Sequence, residues 1–165
     1  MVEVRVQSLG VDPASKAPVV ILEEVGGARL LPIWIGTAEA HAIAMELAGM
    51  KFSRPLTHDL MASLVTGLGG SLRRAIISRV HENTYFAELI VVREGEVFSV
   101  DARPSDSIAL ALRLQAPLFT SEELLGGTTV DAARAAEPES GTMSAEELQA
   151  HLRKLAPEDL GRFNP

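Results

Sequence analysis

The chain has 165 residues, 47% of them apolar and 22% charged, a length and balance that fit one soluble globular domain with a short appendage and exclude a disordered or fibrous chain. No run approaches the ~18 apolar residues of a membrane span, and the absence of cysteine excludes disulfides and thiolate metal sites. The net charge of −7 argues against a protein that simply coats nucleic acid, since such affinity comes from cations released against phosphate; it does not exclude an enzyme working on phosphates.

The N-terminus alternates Val2, Val4, Val6 with Glu3, Arg5, Gln7, the period of a half-buried strand, and so reads as Val2–Leu9 rather than a secretory signal. A cytoplasmic location is the expectation. Two further strands follow, Pro18–Glu24 and Arg29–Ile35, with Gly26-Gly27 as their hairpin turn. A helix from Thr37 to about Gly49 should bury Ile43, Leu47 and Met50. The segment Thr57–Gly67 reads as a second helix. Then the opening order returns: strands Leu72–Val80, Tyr85–Val92 and Val97–Asp101, a turn at Glu94-Gly95, and a helix Ser105–Leu114. A shift of 67 residues lays Ile43-Ala44 on Leu110-Ala111, Leu22 on Leu89, and Glu39 on Asp106. The inferred architecture is α+β: duplicated β-β-β-α units forming antiparallel or bent sheets covered by helices. Pro117–Thr120 and Ser121–Leu125 add a short strand and a helical turn.

The chain divides near residue 126. Small polar residues from 127 to 143 read as a flexible linker. The tail 144–165 opens with a capping box, Ser144 and Glu147, and carries Leu148, Leu152 and Leu155 on one helical stripe.

Three segments gather chemically capable side chains at helix starts: Gly36–His41, Arg54–Asp59 and Asp101–Asp106. Ser105 as N-cap and Asp106 in the first turn are explained by capping and the helix dipole, as are Thr37, Thr57 and Asp59. Asp101 and Arg103 are not; at i and i+2 they can pair or face one ligand. His58 serves neither purpose and suits a general base or metal ligand near neutral pH. Arg54 suits a phosphate clamp or an ion pair. Glu39 and Asp106, at matching places in the repeat, can share a divalent cation or simply cap. His41 is expected to face solvent. No Walker loop, no G-x-G-x-x-G opening a helix, no H-E-x-x-H, and no paired aromatic motif for stacking bases is present.

Leu31–Gly36 leading to Glu39-Ala40, then Arg54-Pro-Leu-Thr-His-Asp-Leu60, then Asp101-Ala-Arg-Pro-Ser-Asp106 with Ile108–Arg113, resemble the signature blocks of the bifunctional nuclease family over roughly residues 1–125. Leu155–Leu160 resembles a tail of its bacterial members; no clear match to the UvrB/UvrC-type second domain of plant members is seen in these 165 residues. The resemblance implies duplicated halves, self-association, and degradation of both DNA and RNA. Its motif positions here are Glu39, Arg54, His58, Asp59, Asp101, Arg103 and Asp106.

Two readings follow. In a nuclease, carboxylates among Glu39, Asp59, Asp101 and Asp106 hold Mg²⁺ or Mn²⁺, His58 serves as base, and Arg54 or Arg103 stabilises the phosphorane. In a non-enzymatic homo-oligomeric binding module, Arg103–Asp101 and Arg54–Asp59 are ion pairs that lock helix entries.

Overall fold

The computed structural model describes residues 1–126. The linker 127–143 and the helical tail 144–165 lie outside the described residues. One mixed sheet of seven strands runs through the molecule: β1 (Val2–Val11), β2 (Pro18–Glu24), β3 (Leu30–Trp34), β4 (Gly70–His81), β5 (Thr84–Arg93), β6 (Glu96–Ala102) and β7 (Leu118–Thr120). The strand order is β3-β2-β1-β7-β4-β5-β6. Every pairing is antiparallel except β4 with β7, which is parallel. Three consecutive strands thus form each wing, and β7 joins them down the middle.

The local reasons are visible in the chain. The β4–β5 and β5–β6 turns place Glu82, Asn83, Glu94 and Gly95 at positive φ, the conformation that two-residue hairpins demand. Alternation in β1 and β2 turns Val4, Val20 and Leu22 to one face, where they meet Leu31, Ile33, Ala75, Ile77, Ala87 and Leu89.

Helices α1 (Thr37–Leu47), α2 (Thr57–Gly67) and α3 (Pro104–Leu114) follow β3, precede β4 and follow β6 respectively, and α4 (Glu122–Gly126) closes the described chain. α3 is the central helix: it packs on α1, α2, β4 and β5. The residues matched by the 67-residue shift share an environment, since Leu22, Leu89, Ile43 and Leu110 are all in the core.

Several expectations need correcting. α1 buries Ile43, Ala44 and Met45 rather than Leu47, which ends the helix just before the chain turns at Gly49 (φ +64°) and stays exposed. The caps also shift by one or two residues. Gly36, Leu56 and Arg103 are the N-cap residues, not Thr37, Thr57 and Ser105. Pro104 fits the first helical position because its missing N–H has no partner to lose there, which pushes the cap back to Arg103 and carries Ser105 into the buried part of the helix.

Candidate functional site

The three helices start close together. Around their N-termini lies an open cleft of about 860 Å³, lined by Glu39 and His41 of α1, Leu56 and His58 at the start of α2, and Arg103 and Asp106 at the start of α3, among others. Residues from three stretches far apart in the chain meet there.

Arg103 is the hub. Its guanidinium donates from Nε to Asp106 Oδ2 at 2.7 Å and from Nη2 to Asp106 Oδ1 at 3.1 Å, and its Nη1 pairs with Glu39 Oε1 at 2.8 Å. Glu39 reaches it by folding back over the start of α1, beside Gly36; a Cβ on Gly36 would collide with that carboxylate. The Arg103 side chain remains 64% exposed at the mouth of the cleft. Asp106 Oδ1 also lies 2.9 Å from His58 Nε2. Burial works to raise the Asp106 pKa, but its hydrogen bonds with Arg103 and His58 outweigh that and hold the carboxyl below its usual value. An ionised carboxylate only accepts, so Nε2 of His58 carries the hydrogen of this bond.

A second ionic pair backs this wall. Arg113, with only 6% of its side chain exposed, donates to Asp59 Oδ1 at 2.6 Å, to the Ala109 carbonyl at 3.0 Å and to the Ala42 carbonyl at 3.2 Å, so it ties α1, α2 and α3 together. Asp59 also accepts the Leu56 backbone N–H at 2.9 Å. Burial pushes the Asp59 pKa up, and Arg113 together with that amide brings it below the ordinary value. Sequence reasoning passed over Arg113 as a site residue. The one signal was a cation in the last turn of a helix whose other face is apolar.

The remaining candidates fall elsewhere. Asp101 does not line the cleft; it stands on β6 across from Glu88, in a shallow depression of about 210 Å³ with Ser99 and Arg79. It therefore does not pair with Arg103, because the strand carries the two residues to different places and Asp106 and Glu39 take the guanidinium. Arg54 is exposed in the loop before α2, and its side chain makes no hydrogen bond or ion pair among the described residues. The Arg54–Asp59 pair is replaced by Arg113–Asp59.

Glu39 and Asp106 do converge from their matching helix starts, and the cation between them is the Arg103 guanidinium, which takes Oε1 of Glu39 and both carboxylate oxygens of Asp106. Among the described residues no group of three or more His, Asp or Glu side chains is placed to hold a metal.

Neither α1 nor α3 has a side-chain hydrogen bond capping its start, so backbone N–H donors and the positive ends of helix dipoles border the cleft. The ionic side chains lining it balance, Glu39 and Asp106 against Arg103 and Arg113. An anion is therefore not repelled, despite the acidic chain.

Known proteins bear on what such a cleft is for. An uncharacterized protein of Mycobacterium tuberculosis is 39% identical over 163 residues, spanning 96% of this chain and 98% of its own. Bifunctional nuclease 1 of Arabidopsis thaliana is 30% identical over 117 residues, 68% of this chain and 36% of that protein. Bifunctional nuclease 2 of Oryza sativa subsp. japonica is 24% identical over 136 residues, 80% and 41% respectively. This chain thus spans well under half of the plant proteins. Residues 20–133 match the bifunctional nuclease domain, a stretch that holds every side chain of the cleft and, among the strands, omits β1 and the first two residues of β2. With both the polar blocks and the matched length in agreement, the chain belongs to the bifunctional nuclease domain family.

Proposed function

We propose that this chain hydrolyses phosphodiester bonds of DNA and RNA in the cleft between α1, α2 and α3. The observation that carries the reading is the His58–Asp106–Arg103–Glu39 chain at the mouth of that cleft, where the uncapped starts of α1 and α3 favour an anion. Family membership points the same way, since the plant relatives are named as bifunctional nucleases.

A phosphate at the mouth would lie on the exposed edge of Arg103 and accept backbone N–H bonds from the helix starts, which stabilise the charge gathering on its oxygens. His58 takes a proton from the attacking water at Nδ1, with Asp106 fixing the ring and supporting the imidazolium. Glu39 and Asp106 hold the guanidinium in place. No step runs through a metal ion.

Purified protein given single-stranded DNA and RNA should cleave both, and His58→Ala should lower the rate by about 10²- to 10⁴-fold. Arg103→Ala should cost about 10²- to 10³-fold, and EDTA should leave the wild-type rate standing. Undiminished cleavage by His58→Ala sinks the assignment, and abolition by EDTA sinks its metal-free form.

A second reading rests on a separate observation. Leu60, Leu64 and Leu68 form an apolar row along α2 that is 50%, 53% and 65% exposed. That row suits a homo-oligomeric binding module, in which the ionic cluster only braces the helices. Catalysis sensitive to His58 decides against it.

A further inference from the structure

The step just described leaves one proton missing. When water attacks phosphorus and the P–O bond to the departing sugar breaks, the leaving alkoxide must be protonated, and His58 has just accepted a proton in that same step. We infer that His41 supplies it, as a general acid on the α1 wall of the cleft that His58 lines from α2. This assignment rests on the hydrolytic reading above.

Five residues of α1 line the cleft, Ala38, Glu39, His41, Ala42 and Met45, and four of them, Ala38, His41, Ala42 and Met45, are spaced i, i+3, i+4 and i+7, so His41 belongs to the helix face that forms the wall. It was expected to face solvent, and it is exposed, but the solvent it meets is that of the cleft. His58 lines the same cleft from α2, and Arg103 and Asp106 line it from α3. The ionisable groups that share the cleft with His41 are Glu39 on its own helix, His58 from α2, and Arg103, Asp106 and Arg113 from α3.

What separates the two histidines is their partners. His58 is buried and committed to Asp106. The His41 imidazole makes no hydrogen bond or ion pair among the described residues, and no packing in the core requires it. An imidazole with no other partner on the cleft wall is available to donate to a bound leaving group. The division of labour is then complete: the water oxygen bonds to phosphorus, its proton passes to His58 Nδ1, the P–O bond to the leaving group breaks, and His41 gives its proton to that oxygen. Exchange with solvent returns both rings to their starting states.

The decisive experiment varies the leaving group. Wild type, His41→Ala and His58→Ala are each given a thymidine dinucleotide, whose leaving alkoxide needs a proton, and thymidine 5′-(p-nitrophenyl phosphate), whose leaving phenolate does not. His41→Ala should lose about 10²-fold or more on the dinucleotide and stay within a few-fold of wild type on the nitrophenyl ester, whereas His58→Ala should lose on both. Equal losses on the two substrates would make His41 a binding residue and overturn the assignment. So would dinucleotide cleavage unchanged by His41→Ala, which leaves the hydrolytic reading intact. A wild type that cleaves neither substrate overturns both. Melting temperatures of the variants accompany the rates, and an exposed, unpartnered residue such as His41 should leave its value unchanged.

Discussion

Helices α2 and α3 have the same length, 11 residues, and both begin at the cleft, yet the fold holds them in opposite ways. α3 buries Pro104, Ser105, Ser107, Ile108, Ala109, Leu110 and Ala111 against the sheet and its neighbours. Of α2 only His58 is buried, with Met61 and Ala62 partly covered at the edge of the core. Hydrophobic burial therefore fixes Arg103 and Asp106, whereas α2 is docked largely through polar ties at its first turn, His58 to Asp106 and Asp59 to Arg113. The α3 side of the site is thus carried on a buried helix, and the placing of His58 depends on two polar contacts. Such contacts respond to pH and to single substitutions far more sharply than buried leucines do.

The largest effect should come from the apolar side of the comparison. Ile108 is fully buried at the centre of α3, and Ile108→Ala removes its contacts and leaves a cavity, at a cost of about 2–5 kcal/mol in chemical denaturation. Leu64→Ala on the exposed row of α2 should change stability by no more than about 0.5 kcal/mol. Similar losses at the two positions would mean that α2 is buried in an assembly.

Next comes the tie itself. Arg113→Met keeps the apolar stem but removes the charge that holds Asp59 and the Ala42 carbonyl, leaving a partly buried carboxylate without its cation. The expected loss is about 2 kcal/mol, the range for hydrogen bonds to charged groups. Because the first turn of α2 then loses one of its two anchors, cleavage should fall together with stability although Arg113 touches no reacting atom in the proposed step. Retention of full activity in a destabilised Arg113→Met would show that His58 is held by Asp106 alone.

This contrast also marks how far the residues can be read without coordinates. Period and turn chemistry located all seven strands and four helices of the described chain, because alternation such as Val2, Val4, Val6 and turns such as Glu94-Gly95 are local signals. The approach of Glu39 to Asp106 was also legible, from their matching places in the repeat, though the cation between them was not. Which Arg meets which carboxylate depends on tertiary geometry: Asp101 and Arg103 are two residues apart and part company at the end of β6, while Asp59 and Arg113 are 54 apart and meet at 2.6 Å. Likewise Trp34 and Tyr85, the chain's single Trp and single Tyr, form no motif in sequence, yet both line a neighbouring cleft of about 390 Å³ on which Arg103 also borders. His41 looked like a surface residue for the same reason, since only the placing of α2 and α3 turns its surroundings into a wall.

The smallest effect, and the most specific to the polar side, is the response to acid. The Asp106 pKa lies lower in the folded chain than the usual carboxylate value near 3.8, so folding favours its ionised form. Its contribution to stability is therefore fully present above about pH 4 to 5 and disappears as pH falls through the folded value, where both states are protonated. Asp106→Asn removes that dependence. The melting temperature of the wild type should exceed that of Asp106→Asn at pH 6, and the gap should narrow steadily toward pH 3. Asp59, shifted the same way by Arg113, persists in both proteins and so cancels from the difference. A gap that stays constant from pH 6 to pH 3 would mean that the Asp106 charge contributes nothing to holding α2 on α3, and that the Asp59–Arg113 pair and packing hold the two helices together.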